Sequence, residues 1–220
     1  MSNLNEIITR VREILTDPNA SRFSDTVLEE GVKQAMQRIN DRLPQVLEAE
    51  ITVAESGRNQ PLAGLSDPIY LISIGYPVSQ SETSKLEPEI QFSYRMQSGQ
   101  PIVHFLGNLC PQAGEKMTVC YAARHTLSGL EDALTTTLPD GVLTGLVNGA
   151  AGHACILRAH ALTEASGVRR GEVAQLLQIA QLRLDLFEKN LADLKVFQEF
   201  GFPPGFSLDQ WDTQHKRSTF

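Results

Sequence analysis

Cysteines, aromatic residues and basic residues are all scarce in this chain of 220 residues. Its three cysteines are an odd number and lack a C-x-x-C spacing, which argues against a disulfide framework and favours free thiols in a reducing compartment. The 19 lysine and arginine residues are outnumbered by 26 aspartate and glutamate residues, giving a net charge of -7. Since affinity for phosphates comes from clustered cations, a chain this acidic is a poor general binder of nucleic acid.

Long uncharged apolar runs are also missing. The longest apolar region, residues 142–162, contains Asn148, His153, Arg158 and His160, and polar groups at these positions make insertion into a bilayer costly. The N-terminus has no basic segment followed by an apolar run, so it does not have the pattern of a signal peptide. We therefore predict no contact with a membrane.

Familiar catalytic motifs are absent as well. The chain contains no G-x-S-x-G, no P-loop, no G-x-G-x-x-G followed by an acidic residue, and no H-E-x-x-H. His153 and His160 are seven residues apart, about 10 Å along a helix, which is too far for the two alone to hold one metal ion. The sequence thus predicts no catalytic residue, no cofactor and no metal site.

The first 44 residues predict two helices joined by a sharp turn. Residues 4–15 place apolar side chains at helical spacing, and Asp17-Pro18-Asn19 ends that helix because proline disfavours helix in the residue before it. Ser24 is the candidate N-cap of the second helix. Phe23 and Leu28 stand at the two positions of a hydrophobic staple, and Pro44 stops the helix.

The hydrophobic period changes from helical to strand-like near residue 49 and returns near residue 128. Short β-branched and aromatic runs separated by turn residues predict about five strands in one small antiparallel sheet, with a hairpin near residues 97–101. The predicted fold class is therefore α+β. Residues 1–48 and 129–199 form a helical bundle from N- and C-terminal helix pairs, and residues 49–128 form a β-rich antiparallel insert.

Glycine recurs at every fourth residue of the third predicted helix, at Gly141, Gly145 and Gly149. Because glycine inside a helix costs about 1 kcal/mol relative to alanine, three in register predict a face that packs closely on another helix, of the same subunit or the next. The fourth helix alternates spacings of four and three, which predicts a long packing seam: Val173, Leu177, Ala180, Leu184, Phe187, Leu191 and Leu194. Its apolar surface is widened by Leu176, Ile179, Leu182 and Leu186, which favours burial on two sides, in the core and against something else.

Residues 200–220, the C-terminal segment, combine large aromatic side chains with Pro203-Pro204-Gly205, which prevents helix. Full burial of each aromatic side chain contributes about 1.5–3 kcal/mol, whereas ordering costs about 1–2 kcal/mol per residue. Docking is thus favourable only in a preformed groove, which a partner supplies more readily than a small domain does. We predict an extended segment that anchors on a partner through these residues: Phe202, Phe206, Trp211, Lys216, Arg217 and Phe220.

Three pieces of the N-terminal region form a recognisable set: Ile14-Leu15-Thr16-Asp17 at the end of the first helix, Arg22-Phe23-Ser24-Asp25 in the turn, and the second helix through Ile39-Asn40. A last strand near Val119-Cys120-Tyr121, a polar link, and Leu134 to Pro139 leading into a helix hairpin complete the pattern. This arrangement resembles the head-to-tail adaptor (neck connector) proteins of tailed phages. The C-terminal segment and the length of the insert depart from that pattern.

The resemblance implies a structural virion protein with no catalytic residues. It implies a homo-oligomeric ring, twelvefold, seated under the portal protein, with tail or nozzle proteins below and DNA passing through without sequence-specific binding. Such a protein is located in the virion neck after assembly in the host cytoplasm. A channel that lets DNA slide should be neutral or acidic, and Glu29, Glu30 and Asp185 are candidates for its surface.

Two other classes of function stay open at this stage. One is a cellular or viral binding module with a helical core. The other is an enzyme with a non-local site, for example around Cys120, His125 and Glu131. Neighbouring genes, or a single image of rings, would separate both from the adaptor hypothesis.

Overall fold

The computed structural model of the protein describes residues 2–76, 90–97, 100–164 and 170–200. Within these residues the chain forms two compact units, a helical unit that ends at Leu43 and resumes at His125, and a β unit from Pro44 to Arg124. This arrangement confirms the predicted α+β fold class. The helices are α1 (Leu4–Ile14), α2 (Asp25–Arg42), α3 (Asp140–Glu164) and α4 (Arg170–Phe200). The strands are β1 (Gln45–Thr52), β2 (Asn59–Pro61), β3 (Pro68–Gly75), β4 (Phe92–Gln97), β5 (Gln100–Phe105) and β6 (Lys116–Ala123).

Helix α3 lies at the centre of the helical unit and packs against α1, α2 and α4. Its buried residues fall on most sides of the helix, which explains why residues 142–162 are so uniformly apolar. Leu146, Ala150 and Ala154 are fully buried there. In the described residues, no helix has both the length and the apolar character that crossing a membrane requires.

The turn between α1 and α2 follows the capping signals of the sequence. Ser24 is the N-cap of α2, and its hydroxyl oxygen accepts a hydrogen bond from the Val27 amide at 3.4 Å. Phe23 and Leu28 are both buried, as the hydrophobic staple predicts. Helix α2 ends at Arg42, immediately before Leu43 and Pro44.

The β unit differs from the predicted single sheet. Its described residues form two three-stranded antiparallel sheets, with strand orders β1-β6-β3 and β2-β5-β4. Residues of both sheets share one apolar core, including Val103 and Phe105 of β5 and Met117 and Val119 of β6. The β4–β5 hairpin is present, with Gln97 opposite Gln100. The division into two sheets depends on which strands pair, and hydrophobic period alone does not determine pairing.

The packing seam of α4 also differs from prediction at its N-terminal end. Leu177 is 48% exposed, whereas Leu176 is 1% exposed and packs in the core. Ala180, Phe187 and Leu191 are buried as expected. Leu177 and Leu176, three and four positions before Ala180, lie on either side of the apolar stripe of α4. Contact with α3 therefore determines which of the two is buried. Leu182, for which burial against a second surface is predicted, is 59% exposed in the isolated chain, and whether a partner covers it stays a prediction.

Candidate functional site

The α1–α2 turn is built around the buried carboxylate of Asp17. Its Oδ1 accepts hydrogen bonds from the amides of Ser21 and Arg22 at 2.9 and 3.0 Å, and its Oδ2 accepts one from the Phe23 amide at 2.9 Å. The Ser21 hydroxyl adds a fourth bond at 3.0 Å. Burial alone would raise the pKa of Asp17, but these hydrogen bonds outweigh it and lower the pKa below its usual value. The resulting turn holds α1 and α2 at a fixed angle.

Arg12 links both ends of this turn. Its Nη1 donates to Asp17 Oδ2 at 3.3 Å and to the Phe23 carbonyl at 2.9 Å, and its Nη2 donates to Asp25 Oδ1 at 2.6 Å. Sequence reasoning missed this buried ion pair. A signal was available, since Arg12 follows Ile8 by four residues and so borders the apolar face of α1.

Phe23 also contacts two arginines. The guanidinium carbon of Arg22 lies 5.9 Å from the Phe23 ring centroid, and that of Arg158 on α3 lies 5.5 Å from it. Arg158 Nη1 donates a hydrogen bond to the Arg22 carbonyl, which ties α3 to the turn. Arg158 of α3 thus binds the turn between α1 and α2.

The three predicted glycines of α3 all face α4. A Cβ built at Gly141 would lie 3.6 Å from Leu194, and one at Gly145 would overlap the side-chain amide of Asn190. At Gly149 it would lie 2.8 Å from Phe187 and 3.0 Å from the Cβ of Ala35 on α2. These positions lie inside one subunit. Whether the same face has a role between subunits stays a prediction.

Two further glycines serve close contacts that the sequence analysis did not single out. A Cβ at Gly31 of α2 would lie 2.6 Å from the backbone oxygen of Ala150, and one at Gly152 would lie 2.8 Å from Leu184. Gly152 continues the small-residue run of α3, so a wider search for small residues would have found it. Gly31 is the only glycine in the sequence of α2, and no pattern of residues in that helix predicts its close contact with α3.

A groove between α2 and α4 contains an ion pair between those two helices. Arg38 Nε donates to Glu188 Oε1 at 2.6 Å, and Arg42 Nη2 lies 4.0 Å from Oε2. The groove has a volume of about 500 Å³ and is also lined by His153 and Asp185. The hydrogen bond from Arg38 lowers the pKa of Glu188. Burial lowers the pKa of His153, and the nearby Glu188 carboxylate partly opposes that effect.

Apolar side chains are exposed on one helix and one sheet. On α4, Leu177, Leu182 and Leu186 are 48%, 59% and 44% exposed. On the sheet of β1, β6 and β3, Val46 and Tyr70 stand opposite the same residue, Ala122, so they share one face. Both are about half exposed. These surfaces are candidates for contacts with other proteins.

The three acidic residues predicted for a channel are at the surface of the helical unit. Glu29 pairs with Lys33 at 3.7 Å, Glu30 accepts a hydrogen bond from Gln34, and Asp185 accepts one from Gln181. Each of these contacts lies within a single helix. The carboxylates are therefore placed by local helical spacing, and which of them face a channel stays a prediction.

The residues considered for an enzyme site have structural contacts. The His125 amide donates to Asn40 Oδ1 at 2.7 Å, and its ring Nδ1 lies 3.2 Å from the Thr137 carbonyl oxygen. Burial lowers the pKa of His125, partly opposed by hydrogen bonds to Thr137 and Leu43. Cys120 belongs to the β unit, whereas His125 and Glu131 belong to the helical unit. Among the described residues, no three His, Cys, Asp or Glu side chains group as a metal site.

The described cysteines are all free. Cys110 is exposed, Cys120 is half-buried and Cys155 is buried in α3. Burial raises the pKa of the Cys155 thiol to about 11, so it stays protonated and unreactive at neutral pH. The C-terminal segment with its six predicted partner-binding residues lies outside the described residues, apart from Phe200 at the end of α4.

Comparison with known proteins identifies the family of the chain. The family model of the SU10 adaptor protein matches residues 2–199, nearly the whole chain. The chain belongs to the SU10 adaptor protein family. Membership confirms the resemblance to phage head-to-tail adaptors and identifies a structural protein of the virion. The match includes both the helical unit and the β unit, so the insert is part of the family pattern.

Two other comparisons add little to what the family match shows about this SU10 adaptor family member. No curated protein matches its sequence. Among solved structures it is similar to a chain described as "Neck of empty GTA particle computed with C6 symmetry", with 14% identity and a TM-score of 0.30. The similarity covers 79% of this chain and 87% of that one. At this TM-score the likeness carries no structural argument.

Proposed function

We propose that the protein is the head-to-tail adaptor of a tailed phage particle, forming a homo-oligomeric ring between the portal protein and the tail. The observation that carries the proposal is the adaptor family match over residues 2–199. A protein in this position has to hold two partners and leave a channel for DNA. It acts by binding, with no turnover and no cofactor.

A ring requires two different surfaces on each subunit, because a cyclic head-to-tail contact joins unlike patches. The exposed leucines of α4 and the exposed face of the β1-β6-β3 sheet are proposed as two such patches, one on a helix and the other on a sheet. Their apolar character supports a lasting contact between copies, in a ring of twelve subunits.

The channel of the ring is proposed to be acidic or neutral. The chain carries a net charge of -7, and phosphate repulsion keeps DNA from adhering to such a surface. Glu29, Glu30 and Asp185 supply exposed carboxylates on α2 and α4. DNA therefore passes without sequence-specific contact.

Attachment to the portal, or to the next subunit, is assigned to the C-terminal segment. The aromatic residues Phe202, Phe206, Trp211 and Phe220 would occupy a groove of the partner, and Lys216 and Arg217 would meet its acidic residues. Tail or nozzle proteins would bind at the opposite end of the ring. The assembled protein would be found in the virion neck after assembly in the host cytoplasm.

Electron microscopy of the purified chain tests this proposal. We expect rings with a central hole when the chain is mixed with the portal protein of its own particle, and added double-stranded DNA should not bind tightly to the isolated chain. A chain that stays monomeric with and without portal protein would contradict the proposal. A ring with a basic channel, or tight salt-sensitive binding of DNA, would contradict the part concerning the channel.

A further inference from the structure

Strand β1 has one side that no other described strand occupies. On its other side β6 pairs with it from Gln45 to Thr52, in a register without any irregularity. The strand order β1-β6-β3 places β1 at the end of its sheet. Unpaired backbone groups along such an end strand form a template on which another strand can pair. We call this side of β1 the open edge.

The hydrogen bonds of β1 determine which of its residues face the open edge. The Val53 amide, next after β1, donates to the Glu115 carbonyl at 2.8 Å, so the odd-numbered residues of β1 direct their backbone groups toward β6. The even-numbered residues direct theirs toward the open edge, and their side chains are exposed: Val46, Glu48, Glu50 and Thr52. Within the described part of the chain, the backbone of these four makes no hydrogen bond outside the β1–β6 ladder.

The open edge lacks the features that deter pairing at two other end strands. Strand β2 has only three residues and ends in Pro61. Strand β3 begins at Pro68 and has two irregularities in its register. Short length, proline and bulges all discourage the addition of a further strand. Strand β1 has eight residues, no proline and no bulge, so of these three it alone is a regular template.

The core beneath β1 is incompletely covered at the open edge. Leu47 and Ala49 point inward and pack against the core of the β unit, yet both are only partly buried. Ile51, farther along the strand, is 8% exposed. An added strand would place its own side chains beside Leu47 and Ala49. It would remove their remaining apolar surface from water, which is favourable if those side chains are apolar.

The exposed face of β1 has one carboxylate without a cation. Glu50 pairs with Lys116 at 2.6 Å, whereas Glu48 has no cation within 4.0 Å among the described residues. Opposite charges on facing residues stabilise a pair of strands, and like charges destabilise it. An antiparallel pair of two β1 strands sets glutamate opposite glutamate in every register that joins three or more of the even-numbered residues. The charges therefore disfavour β1 of a second copy and favour a basic strand.

We propose that the open edge of β1 binds an extended strand of another protein, with lysine or arginine opposite Glu48 and apolar side chains beside Leu47 and Ala49. Backbone hydrogen bonds to the even-numbered residues supply affinity, and the two faces of the incoming strand supply specificity. The three-stranded sheet becomes four-stranded. This binding does not depend on ring formation, so its test uses the isolated chain.

Amide hydrogen exchange of the full chain, followed by nuclear magnetic resonance, tests the proposal. In the free chain the amides of Leu47 and Ala49 should exchange slowly, and those of Glu48 and Glu50 rapidly. The probe is a six-residue peptide of alternating valine and lysine, blocked at both ends. It should slow exchange at Glu48 and Glu50 by about tenfold or more. The matched control peptide groups the same three lysines before the three valines, and it should have no such effect.

Variants of Glu48 separate the backbone contact from the charge. Glu48→Pro removes an amide at the open edge without removing a bond to β6, so it should weaken peptide binding about tenfold or more. Glu48→Lys should weaken binding of the valine-lysine peptide and strengthen binding of a valine-glutamate peptide. Glu55→Lys is the matched control, since it makes the same charge change at an exposed position of the β unit outside β1, and it should bind like wild type.

Four results would overturn the proposal. The first is unchanged exchange at Glu48 and Glu50 up to the solubility limit of the peptide. The second is equal slowing by the peptide with grouped lysines, which would show attraction of charge alone. The third is wild-type binding by Glu48→Lys, a variant that decides the matter even if Glu48→Pro does not fold. The fourth is slowing that rises with protein concentration in the absence of peptide, because the occupant would then be a second copy of the chain.

Discussion

The carboxylate of Asp17 and the backbone amide of Phe23 are joined by a hydrogen bond of 2.9 Å that closes the turn between α1 and α2. Asp17 lies three residues after the end of α1 at Ile14, and Phe23 precedes Ser24, the N-cap of α2. The bond therefore converts two adjacent helices into one rigid hairpin. The turn whose residues carry the family resemblance is thus held by hydrogen bonds from three backbone amides to one buried carboxylate.

Asp17→Ala should destabilise the chain by about 3–5 kcal/mol, because it leaves Arg12 and three backbone amides without their buried partner. Chemical denaturation measures the loss. Asp25→Ala is the matched control, since Asp25 contacts the same arginine with a side chain that is 81% exposed. It should cost no more than about 1 kcal/mol.

The same carboxylate makes stability depend on pH. The pKa of Asp17 is lowered in the folded state, so its contribution is complete above the ordinary pKa of an aspartate and is lost as pH falls through the lower folded value. Wild type should therefore lose stability toward acid more steeply than Asp17→Asn. Equal slopes for the two proteins below pH of about 4 would contradict this account.

Replacing a glycine at a helix contact by alanine should destabilise the chain by an amount that depends on the atoms around that glycine. Gly149→Ala and Gly31→Ala should each destabilise by about 1–3 kcal/mol, because the added Cβ meets Phe187 or the Ala150 backbone oxygen. Gly145→Ala should cost less, since the Asn190 side chain can rotate away. Gly171→Ala is the control, with nothing within 4 Å, and should not lower the melting temperature. Equal melting temperatures for all four would show that the glycines are only tolerated.

The Glu188 carboxylate should raise the pKa of His153. It acts against the larger effect of burial, so Glu188→Gln should lower that pKa further. Histidine signals followed by nuclear magnetic resonance against pH give the value directly. Glu29→Gln is the matched control on α2, where the carboxylate pairs with Lys33 instead. Stability should change by no more than about 1 kcal/mol in Glu188→Gln, because the Arg38–Glu188 pair is partly exposed.

Exposed leucines of α4 should matter for assembly and not for folding. Leu182→Lys and Leu186→Lys should change the free energy of unfolding of the isolated chain by no more than about 0.5 kcal/mol. If α4 contributes to the ring, both variants should prevent ring formation seen by electron microscopy. Gln178→Lys adds the same charge at another exposed position of the helix and should assemble normally. Rings of wild-type appearance from Leu182→Lys would exclude this face from the interface.

Deletion of residues 203–220 separates folding from attachment. The helical unit has its own core, so the truncated chain should keep nearly the melting temperature of the full chain. It should fail to bind the portal protein, because the aromatic anchors are gone. Trp211→Ala with Phe206→Ala in the full chain should weaken the same binding. A truncated chain that unfolds, or one that still completes particles, would show that the C-terminal segment has another role.

Local patterns predicted the helical unit well. The N-cap Ser24, the staple of Phe23 and Leu28, and the helix stop at Pro44 depend on residues within one or two turns of each other, so adjacent sequence carries the information. The switch of hydrophobic period near residues 49 and 128 marked the β-rich region for the same reason. The family resemblance rested on such local features, and the match over residues 2–199 confirms it.

Tertiary structure decided between arrangements that the local spacing of residues allows equally. Whether six strands form one sheet or two depends on pairing between segments distant in sequence, and the choice of Leu176 over Leu177 depends on where α3 lies. The buried pair of Arg12 and Asp17 appears only when the turn brings their side chains together. Arg22 and Arg158, 136 residues apart, both lie against the Phe23 ring only once α3 has packed on the turn. The sequence by itself determined the elements, because their signals are short-range, whereas contacts between distant residues exist only in the folded chain.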